Sequence, residues 1–247
     1  PSPIQPLMDR ASAPTLPYGP PELGIALVEQ FAEIELEYAA LRKGCVLLDQ
    51  PNRSVLVASG PDHRAFLNNM LTQELKDQHP LTVRRSFWLN RKGRIDADLR
   101  AILLPDGQTL LELDALRADL TRATLDAFII ADDAAISHDP ARFHRLALHG
   151  PTATRLLAQA LDEPASGDAV RSLQPDRAAL VRIADADTIV FREDWMGEVG
   201  LEMIIPTSAA RAVYERLMSI GATHEPHVHP IDRDASHPSR DIRMRPA

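Results

Sequence analysis

Two glycines and two carboxylates share six positions in Gly197-Glu198-Val199-Gly200-Leu201-Glu202, which follows Trp195-Met196 and runs into the apolar Met203-Ile204-Ile205. Glycine supplies the positive φ that tight turns need, and acids set between apolar strands are costly to place without a partner. The pattern suits a carboxylate aimed at a ligand. It equally suits a hairpin loop with glutamates on its wet face.

A second candidate set is Asn90-Arg91-Lys92-Gly93-Arg94-Ile95-Asp96-Ala97-Asp98-Leu99-Arg100. In strand alternation Asp96, Asp98 and Arg100 share one face, and Ile95, Ala97 and Leu99 share the other. A carboxylate such as Asp98 lining a pocket could act as a general base or stabilise the charge of an amine. Arg84, Arg85, Arg91, Lys92, Arg94 and Arg100 make the segment locally basic. Charged side chains of this kind fit a solvated sheet edge better than a phosphate site.

Composition narrows the function classes. A chain of 247 residues with 45% hydrophobic content can bury a substantial core, and a net charge of −8 disfavours nucleic acid as a direct partner. Cys45 is the only cysteine, so no intrachain disulfide and no cysteine cluster can form. This composition, with no membrane-length apolar run and no signal-peptide pattern, predicts a cytoplasmic protein and no membrane partner. Phosphate-cradling glycine loops and the Gly-x-Ser-x-Gly elbow are absent. Cys45, beside Val46-Leu47-Leu48, reads as a small core residue. His224, His227 and His229 lie in a proline-rich ending with no supporting carboxylates, and no metal site is assigned.

Three regions organise these residues: an extended proline-rich arm over 1–21, a body over 22–220 and a His/Pro-rich, disordered tail over 221–247. Leu23, Leu27, Phe31, Ile34, Tyr38 and Leu41 predict one amphipathic helix ending near Lys43-Gly44. Residues 82–90, 95–104 and 109–113 read as an antiparallel meander. Leu116, Leu120, Leu125 and Phe128 mark a helix, Ala184-Asp185-Ala186-Asp187 a hairpin, and 209–220 a closing helix. Val57-Ala58-Ser59-Gly60-Pro61 and Leu146-Ala147-Leu148-His149-Gly150-Pro151 echo one another at a ninety-residue offset. Each copy is a strand, a Gly turn, a Pro and a helix. The predicted fold is α+β, with pseudo-symmetric β-α units and antiparallel meanders.

Four motifs occur in order: Glu37-Tyr38-Ala39-Ala40-Leu41-Arg42-Lys43-Gly44 before Leu48-Asp49, the Gly60-Pro61 turn, Gly93-Arg94-Ile95-Asp96-Ala97-Asp98-Leu99, and Gly197 to Glu202. Over roughly residues 33 to 220 they resemble the folate-binding domain of the glycine-cleavage T-protein (aminomethyltransferase) superfamily, with spacing closer to its YgfZ branch. The resemblance implies a tetrahydrofolate cavity. It places Asp98 near the reactive folate nitrogen, with Ala97 replacing the first Asp of the family pair, and makes Glu198 and Glu202 the positions for the pterin ring.

The resemblance also implies a supporting role in iron–sulfur cluster assembly or repair, or in tRNA modification, with iron–sulfur client proteins as partners beside the folate. The alternatives are a folate-dependent aminomethyltransferase and a degenerate domain that binds nothing. Lys43-Gly44-Cys45 matches only the first letters of the branch's K-G-C-x-x-G-Q-E motif, so no redox role is carried to Cys45. The family's C-terminal lobe is expected to be missing.

Overall fold

A computed structural model of the chain describes residues 2–223 and 228–230. The first half runs α1 (Gln5–Arg10), β1 (Thr15–Pro17), β2 (Ala26–Val28), α2 (Ile34–Lys43), β3 (Cys45–Asp49), β4 (Arg53–Ser59), α3 (His63–Met70), β5 (Val83–Leu89), β6 (Ile95–Leu103), β7 (Thr109–Asp114) and α4 (Ala115–Asp126). The second runs β8 (Ala135–His138), β9 (Phe143–His149), α5 (Ala153–Ala160), α6 (Gly167–Arg171), β10 (Ala178–Ile183), β11 (Ala186–Arg192), β12 (Gly200–Pro206), α7 (Ala210–Thr223) and β13 (Val228–Pro230).

The ninety-residue echo is structural. β4 and α3 span 53–59 and 63–70, while β9 and α5 span 143–149 and 153–160, an offset of ninety at every boundary. Each copy then enters a three-stranded meander, β5-β6-β7 or β10-β11-β12, that ends in a helix. The sheets have the orders β5-β6-β7-β4-β8 and β10-β11-β12-β9-β3-β13. The strand leading each copy therefore joins the other copy's sheet. β3 precedes β4 but pairs with β9, and β8 precedes β9 but pairs with β4. This exchange ties the two halves into one body.

Alternation along the strands fills three apolar layers. Leu47, Leu148, Met203 and Val190 pack under α5 and α7, and Leu56, Leu99, Leu111 and Leu113 pack with residues of α3 and α4. Between the sheets lie Val55, Val57, Ile102 and Leu110 against Ile189, Phe191 and Ile204. The seam between the sheets changes character beyond this patch, where buried Arg100, Glu112, Arg145 and Glu202 and the partly buried Arg53 replace aliphatic side chains.

Arg53 forks onto Glu112 through Nε (2.5 Å) and Nη2 (2.6 Å), and Arg145 Nη2 donates to Glu202 at 2.8 Å and lies 3.7 Å from Glu112. Burial alone raises the Glu112 carboxyl. The Arg53 and Arg145 charges and the Arg53 hydrogen bonds outweigh it and hold the group at about 2.

Several expectations need correction. The arm over 1–21 is not simply extended, because α1 buries Met8 in the core beside Ile4 and β1 pairs with β2. The single helix over 23–41 is also absent. Gly24 takes φ +59° after the Pro20-Pro21 start of a short 3-10 turn, Ala26–Val28 is a strand, and only Ile34–Lys43 is helical. α4 exists, but Leu116 and Leu120 face outward while Ala118, Thr121 and Leu125 are buried. The hairpin at Ala184-Asp185 has φ +51° and +62°, the two left-handed residues of a primed turn. Of the predicted tail, His224, His227 and residues 231–247 lie outside the described residues. α7 continues to Thr223, and β13 pairs parallel with β3.

Gly150 has φ +137°, and a Cβ there would sit 2.3 Å from the Gly44 carbonyl oxygen. Gly93, at φ +72°, faces open space. Gly150→Ala should therefore lose about 2 kcal/mol or more of unfolding free energy in urea titrations, and Gly93→Ala clearly less. Equal losses would contradict the close approach of β3 and the β9–α5 turn. Glu112→Gln removes the charge that Arg53 forks onto, while Arg145 keeps Glu202, and should cost about 3–5 kcal/mol.

The Glu112 carboxyl is depressed in the folded state, so its contribution is complete above its ordinary 4.5 and is lost as pH falls toward about 2. The acid limb of the stability curve should flatten over that window in Glu112→Gln. An unchanged acid limb would refute the assignment.

Candidate functional site

β6 delivers Asp98 as alternation requires. Ala97, Leu99 and Ala101 enter the core beneath α3 and α4, so Asp98 and Arg100 emerge on the face turned to the other sheet. Arg85 on β5 grips Asp98 with a two-toothed fork, Nε to Oδ1 at 3.0 Å and Nη2 to Oδ2 at 2.7 Å, while Arg100 Nη1 stands 3.7 Å away. Partial burial would raise the Asp98 carboxyl, but the Arg85 hydrogen bonds and the Arg100 charge outweigh it and hold the group below its ordinary range. Asp98 is thus a permanent anion at neutral pH. It is better suited to stabilising a cationic centre than to taking a proton. Asp96 accepts from Asn90 Nδ2 at 2.9 Å and braces the β5–β6 turn.

Arg100 donates from Nε to Glu193 Oε2 at 2.8 Å and from Nη2 to Oε1, closing the seam between β6 and the end of β11. A groove of about 450 Å³ opens there, with Arg84, Arg85, Arg100, Phe191, Glu193 and Asp194 in its wall. That volume falls within the roughly 300–1,000 Å³ of small-molecule sites. Arg145 stacks over the Phe191 ring, 4.9 Å from guanidinium carbon to centroid. The basic cluster predicted as a solvated edge is therefore divided. Arg100 is buried in this seam on Glu193, whereas Arg85 stays exposed as expected while gripping Asp98, and Arg84 stands 3.6 Å from Asp176.

The glycine-rich turn has two kinds of glycine. Gly197 takes φ +78°, whereas Gly200 allows close approach, since a Cβ there would lie 2.1 Å from the Glu193 carbonyl oxygen and 2.4 Å from His149 Cε1. Asp194 fixes the turn by accepting the Gly200 N–H at 3.0 Å.

The two glutamates then diverge. Glu198 pairs with Arg42 Nη1 at 2.9 Å on the protein surface. Glu202 is 3% exposed; its Oε1 accepts from Trp195 Nε1 at 2.9 Å and lies 3.3 Å from His149 Nε2, and its Oε2 takes Arg145. Sequence reasoning treated the pair as equivalent, and strand β12 makes one internal and the other accessible.

Sequence reasoning also missed Arg53, Glu112, Arg145 and Gln50. The available signal was a charge interrupting an apolar strand, as Glu112 does in Leu110-Leu111-Glu112-Leu113 and Arg145 in Arg145-Leu146-Ala147-Leu148. Arg145 Nε and Nη1, both amide atoms of Gln50 and His149 Nδ1 are buried without a hydrogen-bond partner. Such orphaned donors and acceptors suit a polar heterocycle. Cys45 is fully buried and desolvation raises its thiol strongly, consistent with a core residue. No group of three or more metal-binding side chains occurs among the described residues, and no helix among them is long and apolar enough to cross a membrane.

Comparison with known proteins identifies the family and the fold. The protein is 26% identical over 220 residues to the aminomethyltransferase of Listeria monocytogenes serotype 4b (strain F2365), covering 89% of this chain and 58% of that protein. It is 27% identical over 188 residues to the aminomethyltransferase of Cutibacterium acnes, covering 75% of this chain and 51% of the relative. The chain thus spans just over half the length of these curated relatives.

Among solved structures, the glycine cleavage system aminomethyltransferase T from Bartonella henselae superposes with a TM-score of 0.79 at 22% identity, over 95% of this chain and 60% of that one. A chain of the heterotetrameric sarcosine oxidase from Corynebacterium sp. U-96 gives a TM-score of 0.52 at 16% identity, over 76% and 90% of the two chains. The two superpositions are evidence for the fold. The family model of the GCVT N-terminal domain matches residues 18–237, and the chain belongs to that family.

Proposed function

We propose that this domain binds a tetrahydrofolate and serves one-carbon transfer of the aminomethyltransferase type. The observation that carries the reading is Asp98, held ionised by Arg85 and Arg100, the two arginines that themselves line the groove between the sheets. Relatives named aminomethyltransferase support it. The iron–sulfur accessory role preferred from the sequence has no specific support among these relatives, so the transferase reading replaces it.

Each residue has a distinct part. A folate in the site would supply the nucleophilic ring nitrogen. Asp98 would stabilise positive charge on the aminomethyl donor as its carbon–nitrogen bond breaks, and its depressed carboxyl makes it poor at storing the proton. Glu198, accessible and pairing only with Arg42 in an exposed contact, is the carboxylate free to accept paired hydrogen bonds from an amino-pyrimidine edge. Glu202 would position Trp195 and Arg145 and reach the ring only if those partners yield.

Titration with tetrahydrofolate, read by tryptophan fluorescence, should saturate in the micromolar range, and a flat response would remove the proposal. Asp98→Asn should leave affinity within a few-fold while methylene-tetrahydrofolate formation from an aminomethyl donor falls about 100-fold or more. Glu198→Gln should weaken folate binding yet leave the thermal midpoint nearly unchanged, because an exposed ion pair contributes at most about 1 kcal/mol. Unaltered affinity would exclude Glu198 as the ring contact.

A further inference from the structure

A second cavity, also about 450 Å³, shares no wall residue with the groove and contains Ser54, His138 and Asp119. Ser54 lies on β4, His138 closes β8 beside it, and Asp119 comes from the helix α4 that covers this end of the sheet. His138 Nδ1 stands 2.7 Å from Asp119 Oδ1, and His138 Nε2 stands 2.8 Å from Ser54 Oγ. An ionised carboxylate can only accept, so Nδ1 carries the proton. In the neutral ring Nε2 is then the acceptor and Ser54 Oγ the donor.

This is the order of contacts that makes a serine hydroxyl nucleophilic: base on the hydroxyl, carboxylate on the base. We propose that Ser54, His138 and Asp119 form an acyl-transfer site that hydrolyses small, neutral carboxylic esters.

The wall chooses the substrate class. Leu23, Ile25, Ala115 and Phe143 make the cavity predominantly apolar, which favours an uncharged acyl chain. Ser54 Oγ attacks the ester carbonyl as its proton passes to His138 Nε2. The carbon–oxygen bond to the alcohol then breaks, and the imidazolium returns that proton to the leaving oxygen. Water, deprotonated by the same nitrogen, cleaves the acyl-serine, releases the carboxylic acid and restores the Ser54 hydroxyl.

Arg53 and Thr207 also stand in the cavity wall, with the Arg53 guanidinium forked onto Glu112. Asp119 is a positioning residue. Its side chain is 84% exposed, so its hold on His138 competes with water, and a slow hydrolase is expected.

The test uses the full chain with p-nitrophenyl butyrate and, separately, a fluorophosphonate that phosphonylates activated serines. The expected results are a fluorophosphonate adduct on Ser54, found by peptide mass spectrometry, and saturable hydrolysis that Ser54→Ala lowers by about 100-fold or more. Asp119→Asn should lower kcat roughly tenfold with KM retained, because the imidazole loses the carboxylate that orients it.

Hydrolysis equal in wild type and Ser54→Ala, or labelling only at other residues, would overturn the proposal. If Ser54→Ala fails to fold, the site of the adduct in the wild-type chain and the kcat of Asp119→Asn decide it. Neither readout depends on folate, so failure here leaves the folate reading standing and failure of that reading leaves this one.

Discussion

Beyond its apolar patch, the seam between the two sheets is filled by the ion cluster of Arg53, Glu112, Arg145 and Glu202. Apolar side chains fill the seam only as far as Val55, Ile102, Phe191 and Ile204. Beyond them, charges replace aliphatic groups in four strands, and each must be balanced by a near neighbour, because an ion left alone there loses its hydration without recovering it. Each sheet supplies one opposite-charge pair, Arg53 with Glu112 on one and Arg145 with Glu202 on the other, and Arg145 reaches across to within 3.7 Å of Glu112. Such a cluster adds little net stability over an apolar seam of the same shape. Its strength is selectivity, since a slip of one residue in β9 or β12 would turn a charge into the helix-side core.

Strand exchange makes that selectivity matter. β3 and β8 each cross to the sheet of the other half, so neither half completes its sheet alone, and the seam must be in register before either crossover is satisfied. Gly150 then lets the turn after β9 press against Gly44 and Cys45 of the incoming strand. Gly60 plays the same part in the first copy, where a Cβ would lie 2.4 Å from the Asp133 carbonyl oxygen just ahead of β8. The repeated Gly-Pro turns thus sit where each exchanged strand arrives, which is a physical reason for both copies to hold glycine.

Much of this was legible in local pattern. The meander, the ninety-residue echo and the face shared by Asp98 and Arg100 follow from alternation and turn chemistry, which act within a few residues. What failed depended on distant contacts. A 3.6-residue period through Leu23, Leu27 and Phe31 suggested a helix, but Gly24 and the pairing of β2 with β1 win over that period. Leu116 and Phe128 looked like one buried stripe of α4. Leu116 instead meets the N-terminal segment near Gly19, and Phe128 meets Trp88 edge-on at 5.8 Å. The ion cluster was unreadable for the same reason, since nothing near Glu112 in the chain indicates Arg53 or Arg145 as its partner.

The glycine-rich turn shows how register converts similar residues into different tools. Glu202 belongs to β12, opposite Ala147, and strand geometry points it into the seam toward Arg145 and His149. Glu198 precedes the strand and escapes that constraint, so it remains at the surface with Arg42. The same reasoning explains why both cavities lie where they do. Arg100 joins Glu193 at the wall of the groove, and Arg53, forked onto Glu112, also borders the other cavity. Where the seam turns ionic, long forked side chains hold the sheets apart at its margins, and openings form there that a continuous layer of valine and isoleucine would have filled.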